Sequence, residues 1–101
     1  MSVLMTLRVK GDATKLEALA AKDPTLIPSV ANKGKEMGAL YHRFYATDDE
    51  ILVVDIWPDE ATFQAFFDST PEIPNIMFEA GVTTAPEITM WRKLELGDDI
   101  G

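Results

Sequence analysis

Apolar residues fall at every second position as the chain begins. Val3, Met5, Leu7 and Val9 share one face of an extended segment, Leu4, Thr6, Arg8 and Lys10 share the other, and Gly11-Asp12 closes it. This predicts a first strand. The period then lengthens to that of a helix: Asp12 is placed to cap it, and Leu16, Leu19 and Ala20 recur on one side. Asp23-Pro24 reads as a second cap, so a two-part helix kinked near Pro28 is expected, with Ile27, Val30 and Ala31 on its buried side and an exit at Gly38. Alternation returns from Ala39 to Ala46, is broken by Thr47-Asp48-Asp49-Glu50, and resumes from Ile51 to Trp57, which predicts a hairpin.

Pro58-Asp59 starts the next helix, whose Phe63, Phe66 and Phe67 stand at i, i+3 and i+4 and give it a dense aromatic stripe. After Pro71 a shorter helical stretch carries Ile76, Met77 and Ala80, with Asn75 placed to start it, and ends at Gly81; a loop through Pro86 leads to a last strand from about Glu87 to Leu94. The order strand, helix, strand, strand, helix, strand, joined by right-handed crossovers, makes an α+β, ferredoxin-like βαββαβ fold. Its four-stranded antiparallel sheet runs in the order 4-1-3-2 with helices on one face. Residues 1–96 form one domain in this reading, and the acidic tail 97–101 is frayed.

The uncovered face of such a sheet should turn polar in a monomer. It does not, because Leu52, Val54 and Ile56 oppose Ile51 and Val53 on the third strand, and Leu4 sits on the outer side of the first. An apolar patch of that size calls for a cover, and a second copy related by a two-fold axis is the simplest one.

The composition narrows the chemistry. With 47% hydrophobic and 26% charged residues over 101 positions, the chain is an ordinary single globular domain. It has no cysteine, which removes disulfides, thiolate metal sites and a thiol nucleophile together. A net charge of −8 opposes binding to nucleic acid and to anionic membrane surfaces. The longest aliphatic run, Ile51-Leu52-Val53-Val54, is far below the ~20 residues of a membrane helix, and MSVLMTLRVKG has none of the zones of a signal peptide. The expected location is the cytoplasm.

Several stretches carry a family resemblance: Gly38-Ala39-Leu40-Tyr41-His42-Arg43-Phe44-Tyr45, Val53-Val54-Asp55-Ile56-Trp57 leading into Asp59-Glu60-Ala61, and Ala80-Gly81-Val82 through Pro86-Glu87-Ile88-Thr89. Over nearly the whole chain they resemble the antibiotic biosynthesis monooxygenase-like superfamily. The resemblance implies a dimeric α+β barrel. It also implies a possible cofactorless oxidation of a small aromatic or quinone-like molecule, in a pocket lined by a tryptophan near Trp57. The superfamily also holds haem-degrading enzymes, which resemble one another in a strand-one asparagine and a second-helix histidine. Here strand one has Thr6 and Arg8 and the second helix has no histidine, so no haem, metal or other cofactor is expected.

A two-residue Asp48-Asp49 turn sets the hairpin register so that His42 faces Asp55, Leu40 faces Trp57 and Phe44 faces Val53. A carboxylate beside an imidazole fixes its tautomer and prepares a general base for a phenolic or enolic proton. His42 and Asp55 are therefore the candidate catalytic residues. Trp57, Phe44, Phe63, Phe67 and Trp91 are the candidate substrate-binding residues. The alternative stands beside this one: a non-catalytic ligand-binding or structural dimer, in which the pair only satisfies itself at the subunit interface and the aromatics only pack. A one-residue bulge would bring Tyr41 opposite Asp55 instead.

Overall fold

The computed structural model describes residues 1–101. Its elements follow the order β1 (Val3–Lys10), α1 (Ala13–Lys22), α2 (Leu26–Glu36), β2 (Tyr41–Ala46), β3 (Glu50–Trp57), α3 (Glu60–Asp68), α4 (Glu72–Glu79) and β4 (Glu87–Trp91). All strand pairs are antiparallel and the sheet order is β2-β3-β1-β4, the arrangement expected for a ferredoxin-like fold.

The helices lie against one face of the sheet. On that inner face Met5, Leu7, Val9, Ile51 and Trp57 are buried together with Phe63, Phe66 and Ala80 from the helical layer. Phe63 and Phe66 are the buried residues of α3, as the spacing of the aromatic stripe requires. The outer face carries Leu4, Thr6 and Arg8 of β1, Leu52, Val54 and Ile56 of β3, and Tyr41, Arg43 and Tyr45 of β2.

Local chemistry sets the element ends. Asp12 caps α1 by accepting from the Thr14 amide at 2.9 Å, and Asp59 caps α3 by accepting from the Thr62 amide at 2.7 Å. These bonds, with those from the two threonine hydroxyls, hold both carboxyls below their ordinary value of 3.8. Gly38, with φ of +119°, turns the chain from α2 towards β2 in a conformation a side chain resists.

Four boundaries depart from the expected ones. The break between the first two helices falls at Asp23, which ends α1 through its amide to the Leu19 carbonyl at 2.9 Å, rather than as a kink at Pro28. Pro28 sits in the first turn of α2, where its missing N–H is not needed. Asn75 lies inside α4, and Pro74 occupies its first turn. β2 starts at Tyr41 rather than Ala39, although the Leu40 amide still reaches the Ile56 carbonyl at 2.8 Å. β4 stops at Trp91 rather than Leu94: its last pair is with Leu4, one residue inside the start of β1 at Val3.

The two capping carboxylates give a stability signature. A carboxyl lowered on folding stabilises the fold above its unfolded value, and that contribution is lost as pH falls through the lowered folded value. Asp59→Ala is expected to reduce Tm by about 5 °C at neutral pH. The double variant Asp12→Asn, Asp59→Asn is expected to flatten the fall of Tm below about pH 3.8, measured by circular dichroism melts across pH.

Candidate functional site

The hairpin closes without a bulge. Tyr41 pairs with Ile56, His42 with Asp55, Phe44 with Val53 and Ala46 with Ile51. His42 and Asp55 therefore stand side by side on neighbouring strands, both on the inner face. The Nδ1 of His42 lies 2.7 Å from Oδ1 of Asp55. Both side chains lie on the cavity side of the sheet and not on its outer face.

Asp55 is 5% exposed, and its carboxylate is satisfied on both oxygens. While Oδ1 meets His42, Oδ2 accepts from the indole Nε1–H of Trp57 at 3.1 Å. Trp57 is two residues further along β3, on the same face, and 1% exposed. Its indole leans on Phe66, with ring centres 5.3 Å apart, and on Phe63 at 5.8 Å, while Phe63 stacks on Phe67 at 5.6 Å. Phe44 stands edge-on to the imidazole at 4.9 Å. No buried side-chain nitrogen or oxygen lacks a partner.

Between sheet and helices lies a cavity of about 120 Å³. Met5, Leu7, Val53 and Trp57 form its floor, the α3 aromatics one wall, and Val30, Ile73, Ile76 and Met77 of α2 and α4 the remainder. Apart from Gly34, every lining residue other than His42 and Asp55 is hydrophobic. An apolar cavity of roughly 150 Å³ holds a benzene ring, so this space suits a molecule of about one ring. Phe44, 40% exposed, is the most exposed part of the lining, and His42 beside it is one-third exposed. The mouth is along β2.

His42, Asp55, Trp57, Phe44, Phe63 and Phe67 thus come together around one space. Trp91 does not. Its pairing with Leu4 directs it to the outer face, where it is 53% exposed and its indole donates to the Thr6 hydroxyl at 2.8 Å. A strand alternates its faces, and Trp91 is on the wrong parity to meet Trp57. The α4 contribution from Ile73, Ile76 and Met77, and the tie between Trp57 and Asp55, were not singled out from the sequence. Positions 55 and 57 of one strand share a face, and that parity was the available signal for the tie.

No group of three or more His, Cys, Asp or Glu side chains comes together in a form that could hold a metal ion. No helix is long and apolar enough to cross a membrane. On the outer face the Tyr45 hydroxyl lies 3.4 Å from that of Tyr41, which holds its proton on above the ordinary value of 10.0, and Arg43 lies over the Tyr41 ring at 4.6 Å.

No protein-family model matches the chain, and no curated protein matches it. Solved structures do. SnoaB, a cofactor-independent oxygenase from Streptomyces nogalater, superposes with a TM-score of 0.64 at 13% identity, over 97% of this chain and 98% of its own. A conserved protein from Methanosarcina mazei Go1 gives 0.67 at 18% identity, over 93% and 94%. An antibiotic biosynthesis monooxygenase gives 0.64 at 8% identity, over 92% and 99%. The chain has the fold of the antibiotic biosynthesis monooxygenase-like proteins, and identities this low speak for the fold alone.

Removing the carboxylate should expose its structural role. Asp55→Ala leaves the buried Trp57 N–H without an acceptor, and is expected to cost about 1–3 kcal/mol in urea unfolding with little change in m.

Proposed function

We propose that this chain is a cofactor-independent monooxygenase acting on a small phenolic or quinol-like molecule, and that it works as a homodimer. One observation carries the reading: the only ionisable groups lining an otherwise apolar, ring-sized cavity are an imidazole and a carboxylate already bonded to each other. The fold shared with a cofactor-independent oxygenase is consistent with it.

The chemistry follows from the pair. With Asp55 on Nδ1, the neutral imidazole carries its proton there and leaves the Nε2 lone pair free; Nε2 has no partner within the chain. A phenol seated in the cavity loses its hydroxyl proton to Nε2, and the anion, poorly solvated among hydrocarbon side chains, is a strong electron donor. Transfer of one electron to dioxygen, followed by bond formation between the two radicals at the ring carbon para to the oxygen, gives a peroxide. The O–O bond then breaks as that carbon loses its hydrogen. One oxygen atom stays as the quinone carbonyl and the other leaves as water, so a phenol and dioxygen become a quinone and water.

The homodimer reading is supported by the bare outer face, where Leu4, Leu52, Val54 and Ile56 have no helix above them.

Dioxygen uptake with a panel of single-ring phenols and quinols tests the activity. His42→Ala is expected to lower kcat by about 100-fold or more, while the exposed-surface variant Glu17→Gln is unchanged. Binding of these molecules without any turnover would leave the ligand-binding alternative in its place. Val54→Asp is expected to convert dimer to monomer in sedimentation velocity, because it buries an unpaired carboxylate at the centre of the proposed interface.

A further inference from the structure

The cavity is lined by one acid and one base, and the acid is held by a third group that lies outside the proton's path. We infer that Trp57 is a positioning residue for the pair: its indole N–H holds the second oxygen of Asp55, so that the first is presented to His42 Nδ1 and Nε2 is left without a protein partner. This rests on the oxygenase reading for its catalytic consequence, but the positioning itself is a statement about three side chains.

The geometry is directional. An indole N–H only donates, so Asp55 Oδ2, 3.1 Å away, is an acceptor. The carboxylate is then pinned at both ends, by Nε1 of Trp57 and by Nδ1 of His42 at 2.7 Å, and it cannot turn about its own bond without losing one of them. Trp57 can serve as an anchor because it does not move: it is 1% exposed and wedged between Phe63 and Phe66. His42 gains from this because it is on an edge strand and one-third exposed, with Phe44 edge-on to its ring. The rigid side of the cavity thus orients the mobile side.

Nitrogen-15 NMR tests this cleanly, since His42 is the only histidine and Trp91 serves as the internal control for Trp57. In the wild type, the Trp57 indole N–H signal is expected to shift with the same midpoint as the His42 ring nitrogens, while that of Trp91 stays still. In Asp55→Asn the shared movement is lost. In Trp57→Phe the neutral His42 ring, nearly all Nδ1–H in the wild type, is expected to become a mixture with several-fold more Nε2–H form. With an active substrate, kcat falls about tenfold and KM changes less.

A Trp57 signal that stays fixed through the His42 midpoint overturns the inference, as does a folded Trp57→Phe with the wild-type tautomer. Should Trp57→Phe fail to fold, the wild-type titration decides alone. These readouts need no substrate. A protein that passes them yet consumes no dioxygen keeps the positioning role and loses the oxygenase reading; one that turns over phenols with a fixed indole signal does the reverse.

Discussion

A carboxylate 5% exposed in a hydrocarbon layer is expensive, and the arrangement around Asp55 is best understood as the way this chain meets that cost. Both oxygens are occupied, one by an imidazole from the neighbouring strand and one by an indole from its own. Neither donor could be supplied by a local turn, because both depend on parity: residues 55 and 57 must share a face of β3, and His42 must fall opposite Asp55 in the ladder. A slip of one residue in the β2-β3 register would turn His42 to the outer face and leave the carboxylate half-satisfied. The site is therefore as well determined as the hairpin. The tight Thr47 to Glu50 turn, with the Glu50 amide on the Thr47 hydroxyl at 3.1 Å, sets that register locally.

The same parity divides the sheet into two surfaces with different uses. The inner surface places Met5, Leu7, Val9 and Ile51 against the helices and leaves a gap where α2, α3 and α4 meet over Trp57 and Val53. Aromatic side chains are large and stiff, and three of them at helical spacing on α3 fill one wall without reaching the other. The outer surface keeps Leu52, Val54 and Ile56 on a strand that is already buried on its other side. An apolar strand on both faces is what a sheet needs when each face has a cover. Cavity and bare apolar outer face are thus two outcomes of one alternating pattern.

Most of the architecture was legible because it rests on period and on punctuation. Strand order, hairpin register and the caps at Asp12 and Asp59 all follow from alternation, from Asp-Asp between two apolar runs, and from aspartates two or three residues before amides they can accept from. The misses have a common cause, which is that they depend on what the rest of the fold offers. Arg92 to Leu94 has strand character, yet the β1–β4 ladder closes at the pair of Leu4 with Trp91. Asp23-Pro24 has the composition of a helix start, yet Asp23 closes the helix before it. Trp91 looked like a pocket residue by type, and its pairing partner on β1 decided otherwise. The participation of Ile73, Ile76 and Met77 was out of reach for a related reason: where α4 crosses the sheet is a tertiary fact, and its apolar residues alone do not reveal it.

His42 and Asp55 are satisfied to different degrees, and the difference follows their burial. Asp55 is fully met, while His42, one-third exposed, has one nitrogen bonded and the other without a protein partner. Asp55 serves two donors at once, so replacing His42 alone would still leave the buried Trp57 N–H in need of the carboxylate. An apolar cavity of about 120 Å³, whose only ionisable lining groups are His42 and Asp55, has the size of about one ring.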